Sequence, residues 1–276
     1  MPDADPQTSG NPIPGESSGD LPVSATSGGR YYDYCSKSLI YFRPPRLGIV
    51  HLLAFIAFST GLIIFYTLLD MRNPRPDHSG IMIIWKGLQV IRNMVTAASL
   101  VGLLILLAGK IRGIPGRFQP GHWILIFESI ATILAFFLWG IFYFGLEGNS
   151  HGSSLPSILM GYERFLLVLA YALLIYFLQE AISWKVLFGA LALFEAATGL
   201  LYFDQGMRIW MHFSFTGIIL PLEIVVLLVL IVTIALDRKN YSFRDRLHWL
   251  GLFLIGYEFT LSIISEVVQY AKYGFI

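Results

Sequence analysis

Seven runs of apolar residues follow one another along the chain, each close to the roughly 20 residues that a helix needs to cross a bilayer. They cover positions 47–69, 88–109, 122–144, 158–178, 182–203, 213–236 and 248–270. Turn-forming clusters separate several of them: Asn73-Pro74-Arg75-Pro76, Gly113-Ile114-Pro115-Gly116 and Gly148-Asn149-Ser150-His151-Gly152. No connection is long enough to hold another domain. The pattern predicts an all-α fold, a polytopic membrane protein built as a bundle of seven transmembrane helices over residues 47–276. If the second helix begins at Ile81, it is about 44 Å long. That exceeds the hydrocarbon thickness and puts Trp85 and Lys86 in the interface.

The first 46 residues break the pattern twice. Residues 1–30 are rich in Pro, Gly, Ser, Thr and Asp and nearly free of large apolar side chains. Such a segment cannot bury enough surface to offset its ordering entropy, so a disordered cytoplasmic tail is expected. It lacks the basic start and apolar run of a signal peptide. Residues 31–46 mix Tyr31, Tyr32, Tyr34, Tyr41 and Phe42 with Lys37, Arg43 and Arg46. That mixture suits an interfacial juxtamembrane segment. The lone cysteine, Cys35, lies in it; it excludes an intrachain disulfide and reads as an inert thiol before a palmitoylation site.

Orientation follows from the basic residues. Arg30, Lys37, Arg43, Arg46, Lys110, Arg112, Arg117, Lys185, Arg238, Lys239, Arg244 and Arg246 fall on one side of the seven runs. Arg72, Arg75, Lys86, Arg208 and Lys272 fall on the other. Twelve against five predicts a cytoplasmic N-terminus and an outside C-terminus, in a plasma or inner membrane. Composition agrees with a bilayer environment. The 276 residues are 55% apolar and 13% charged, with a mean hydropathy of +0.65. Soluble chains carry roughly 25% charged residues. The lipid bilayer is the first expected partner. The net charge of +1 leaves no basic patch for nucleic acid.

The charge left inside the apolar runs is the functional signal. Arg92 lies in the second run, Glu128 in the third, Glu163 and Arg164 in the fourth, Glu195 in the fifth, Glu223 in the sixth, and Glu258 and Glu266 in the seventh. A charge at a helix centre costs about 3 kcal/mol on insertion scales, so such groups should face the bundle interior. Glu223 and Glu258 sit near the midplane, about 15 Å into their runs. Helical spacing groups polar residues into stripes: Trp85, Gln89, Arg92, Thr96 and Ser99; Glu128, Ala131, Thr132 and Ala135; Glu195, Thr198, Gly199 and Tyr202; Glu258, Ser262, Ser265 and Gln269. Pro221, just before Glu223, predicts a kink in the sixth helix.

Carboxylates outnumber the cations. Each excess one must take up a proton, hold a cation or sit in water. That predicts a polar cavity lined by Arg92, Glu163, Arg164, Glu195, Glu223, Glu258 and Glu266. It suggests a small transporter-like or ion-coupled protein that takes a small ion or small molecule. Arg92 and Arg164 would anchor carboxylates or an anionic substrate, and Glu223 and Glu258 would be the protonatable pair near the midplane. Two other readings stay open. The charges are structural in a non-catalytic scaffold or sensor, with the end groups reaching toward headgroups. Alternatively, the carboxylates serve an intramembrane lipid-modifying enzyme.

Other motifs are missing. The seventh run has no lysine at its middle for a retinal Schiff base. Tyr162-Glu163-Arg164 lies at the wrong end of the wrong helix for the acidic-Arg pair of G-protein-coupled receptors. No two histidines stand at i, i+3 or i+4, so no helix offers a two-histidine metal face. His51, His122 and His248 share one side and could approach Glu128. No cofactor and no catalytic residue is called for. A His-Trp pair opens both the third run (His122-Trp123) and the seventh (His248-Trp249), each after a basic connection. It reads as two interfacial ring pairs, with a parallel three-helix repeat as the alternative.

Overall fold

A computed structural model describes residues 42–72, 79–140, 155–178, 180–207, 215–237 and 245–273. The tail over 1–30, positions 31–41, the connections 73–78 and 141–154, and His78, His151 and His212 lie outside the described residues. Seven helices run in chain order: α1 Ile49–Arg72, α2 Ser79–Ile111, α3 Pro120–Gly140, α4 Leu155–Phe177, α5 Ile182–Met207, α6 Phe215–Asp237 and α7 Arg246–Tyr273. All seven are long and apolar enough to cross a membrane, and there is no strand among the described residues. The chain is an all-α, multi-pass seven-helix membrane protein. The α2 helix starts at Ser79, two residues before Ile81, and so exceeds the span expected over 88–109. The α6 helix runs unbroken through Pro221.

Helices α3, α4, α5, α6 and α7 form a closed ring in which each packs on the next and α7 returns to α3. The α2 helix lies against α3 and α7, and α1 packs chiefly on α2. The ring interior is filled by Ile124 and Ala131 of α3, Leu167 and Tyr171 of α4, Leu187, Phe188 and Leu191 of α5, Val226 and Leu230 of α6, and Leu252, Ile255 and Phe259 of α7. A second core joins Val101, Ile105 and Leu106 of α2 to Leu125 and Ile126 of α3 and Leu247 and Leu254 of α7. Large side chains such as Leu52, Ile56, Leu169, Leu200, Leu228 and Phe253 are exposed on the outer faces. In a bilayer those faces meet lipid tails.

Small residues close the ring. A Cβ added at Gly251 would collide with the carbonyl oxygen of Gly121, and one at Gly121 with that of His248. The backbones of α3 and α7 therefore touch, as small-residue interfaces allow. Their N-termini are joined as well. Asp245 caps α7: its Oδ1 accepts the His248 backbone N–H at 3.2 Å. The same oxygen accepts His122 Nε2 at 3.0 Å. His122 Nδ1 accepts the Gln119 N–H at 3.2 Å, and His248 Nδ1 accepts the Gly121 N–H at 3.1 Å. Each histidine thus satisfies a helix-start donor that would otherwise be orphaned. Beside them, Trp184 Nε1 of α5 donates to Asp237 at the end of α6.

The connection after α2 is a Schellman turn. Gly113, at φ +71°, donates to Lys110 O at 2.9 Å, and Ile114 donates to Gly109 O at 3.1 Å. Lys110 Nζ then reaches Gly116 O at 2.7 Å and lies over the rings of Phe42 and Phe118. The Phe42 N–H donates to Arg117 O at 2.7 Å, which ties residues 42–46 across this connection.

The α3–α7 contact makes a direct prediction. Gly251→Ala forces the two backbones apart and destabilises the bundle by about 1–3 kcal/mol. Gly61→Ala, at a site with nothing within 4 Å of the added methyl, does not. Unfolding midpoints in mixed micelles titrated with SDS measure the difference.

Candidate functional site

The glycine contact sets the register of the polar interior. Glu128 stands seven residues after Gly121, and Glu258 seven after Gly251. Two helical turns return each side chain to the face of its glycine, about 10 Å deeper in the bundle. The two carboxyl groups therefore lie at about one level of two parallel helices. They act on each other electrostatically, and Glu195 of α5 acts on both. The rings of Phe194 and Phe259, next in sequence to Glu195 and Glu258, lie 4.8 Å apart.

Partners come from α4. The Tyr171 hydroxyl donates to Glu128 Oε1 at 2.5 Å. Arg164 Nη1 donates to Glu195 Oε2 at 2.9 Å. Arg164 and Tyr171 are also seven residues apart, so one face of α4 presents both. Gly199 leaves room for this reach, since a Cβ there would meet Arg164 Cβ at 3.2 Å. Glu163 is buried, and neither of its carboxyl oxygens has a hydrogen-bond partner among the described residues. Arg164 and Glu195 act on it electrostatically.

Glu258 has a second environment. With Gln89 and Arg92 of α2 and Ser262 and Ser265 of α7 it lines a cleft of about 170 Å³. The polar stripes of the second and seventh helices thus face each other across this opening. The Tyr257 hydroxyl donates to Leu88 O at 3.3 Å beside it. The second core holds α2 against the ring from Val101 onward, while the cleft opens nearer its start.

The sequence-predicted residues therefore separate into groups. Glu163, Arg164, Glu195 and Glu258 converge, together with Glu128. Arg92 is exposed and reaches the set only through the cleft it shares with Glu258. Glu223 is buried on α6, and the bonds described above do not include it. Glu266 lies on α7, with its side chain outside the described residues. Lys86 is exposed. His122 and His248 meet Asp245 instead of Glu128, and His51 Nδ1 accepts the Gly48 N–H at 3.1 Å. Among the described residues no group of His, Cys, Asp or Glu is arranged to hold a metal. Tyr171 was not marked by the sequence reading, although its spacing from Arg164 was a usable signal. Asp245 and Asp237 were not marked either, because their partners come from distant helices.

Three carboxyl groups, those of Glu163, Glu195 and Glu128, thus stand within the field of the Arg164 guanidinium, and a fourth, Glu258, shares its cleft with Arg92. Compared with known protein families, curated proteins and solved structures, the chain matches none.

The ion pair is testable by a double-mutant cycle. Arg164→Met leaves Glu195 buried and unpaired, and destabilises by about 3–5 kcal/mol. Arg164→Met combined with Glu195→Met recovers most of that loss, because no lone charge remains. SDS unfolding midpoints of the four proteins give the coupling.

Proposed function

We propose that the protein is a small ion-coupled, transporter-like membrane protein in which Glu258 exchanges protons between the α2–α7 cleft and the carboxyl groups of Glu128 and Glu195. One observation carries this reading: Glu258 belongs both to the cleft and to the electrostatically linked set inside the ring. Intramembrane ionisable groups of this kind mark proton and ion pathways. Arg92 stands in the cleft as the anchor for a small anion or a carboxylate-bearing molecule. Arg164 holds Glu195 as the fixed end of the route.

The distribution of Lys and Arg supports a cytoplasmic N-terminus in a plasma or inner membrane. The cleft then opens on the outer half, and the capped α3–α7 end closes the cytoplasmic half. A scaffold or sensor is the second reading. It is favoured by the Arg164–Glu195 and Tyr171–Glu128 pairs, which already satisfy two of the acids.

Proteoliposomes containing a pH-sensitive dye distinguish the two. Under an imposed potential the native chain passes protons above the protein-free level. Glu258→Gln lowers that flux at least tenfold. Flux that Glu258→Gln leaves unchanged, or a native chain no faster than empty vesicles, overturns the proposal. The second of these results leaves the scaffold or sensor reading.

A further inference from the structure

A second opening lies at the other end of the bundle, on the outer surface between α3 and α4. It is a groove of about 640 Å³. Trp123 and Phe127 of α3 and Leu173, Leu174 and Phe177 of α4 form its walls, and Arg117 stands at its mouth. From Leu178 to Ala170 it follows eight residues of α4, about 12 Å, close to the depth of one leaflet's hydrocarbon. Its volume is that of a small-molecule site. Its walls are as apolar as lipid, so nothing polar from water is suited to fill it.

The mouth supplies the chemistry of the occupant. Arg117 forms no ion pair among the described residues. The bond from Phe42 to Arg117 O brings Arg43 and Arg46 across the same connection as Lys110 and Arg112. Among the described residues, every exposed or half-exposed charged side chain at this end is basic, with Lys185 and Arg246 completing the set. The acids of this end, Glu180, Asp237 and Asp245, are all buried. Among the described residues, this end therefore presents a basic rim above an apolar slot.

We infer that the α3–α4 groove holds an acyl chain of a phospholipid with a net anionic headgroup, whose phosphate is bound by Arg117. The inference is independent of the proton route, since it uses none of the residues of that site. The rim selects the headgroup by charge, and the slot holds the chain against Trp123. A zwitterionic phospholipid fits the slot equally well but gains less at the rim. Each basic side chain near a membrane surface contributes about a fivefold preference for an anionic lipid.

Quenching of tryptophan fluorescence by lipids with brominated acyl chains tests this, with the full chain in mixed micelles. The Trp123 share is the difference between the native chain and Trp123→Phe. Brominated phosphatidylglycerol is expected to quench that share at a mole fraction at least about fivefold lower than brominated phosphatidylcholine. Arg117→Gln, a change at an accessible position, raises the mole fraction of phosphatidylglycerol required about fivefold and leaves that of phosphatidylcholine unchanged. Ala170→Phe fills the slot and removes the Trp123 share for both lipids. Inorganic phosphate, at matched ionic strength, displaces neither. Three results overturn the inference: equal titration by the two lipids, displacement by inorganic phosphate, or no Trp123 share with either lipid. The last means that a second copy or another part of this chain covers the groove.

Discussion

Closure of the helix ring depends on the place where α3 and α7 touch. A polar group has no water to turn to inside a bilayer, so a helix start near the hydrocarbon must find its partners in protein. Here two helix starts find them in each other. Asp245 takes the first-turn donor of its own helix and the imidazole of the other, while His248 takes the donor of Gly121. The glycines bring the backbones close enough for these bonds to form. Without that approach α7 would not return to α3, and the five helices would form an open arc.

The same contact determines where the acids lie. Parallel helices that touch at Gly121 and Gly251 must bring their positions seven residues further on side by side, and both positions are glutamates. The structural contact and the electrostatic cluster are thus two consequences of one register. Polarity then varies along the ring in three layers. Capping histidines and aspartates close one end. An apolar layer of Leu187, Phe188, Leu252 and Ile255 follows. Beyond it come the linked carboxyl groups and their partners from α4. The gradient is one-sided.

Much of this was legible in the sequence, and the boundary is informative. Helix number follows from run length alone, because the bilayer leaves no alternative for 20 apolar residues. The polar stripes of the second and seventh helices were visible from spacing, as was the demand that intramembrane charges face inward. Pairing was not visible. Nothing along the chain states that Arg164 turns to Glu195 instead of Glu163, its neighbour in sequence, since that choice depends on the approach of α4 to α5 at Gly199. The His-Trp pairs show the limit most clearly. Their rings occupy equivalent turns of α3 and α7, yet His122 accepts from the start of its own helix and His248 from that of its neighbour. Equivalent sequence positions acquired different bonds because the helices are in contact: the Gly121 N–H reaches across to His248, while the Gln119 N–H stays with His122.

The attachment of α2 connects these features. Its later half is packed into the second core, with Gly102 admitting Leu125, Leu247 and Leu250 at close range. Its earlier half, bearing Gln89 and Arg92, stands across the cleft from Glu258, with the Tyr257 bond to Leu88 as a bridge. The α2 helix thus carries two kinds of contact: an apolar seal against α3 and α7 in its later half, and a polar wall facing Glu258 in its earlier half. Its attachment is what gives one acid of the ring a second face, toward an opening, while the α3–α7 contact holds the same acid level with Glu128.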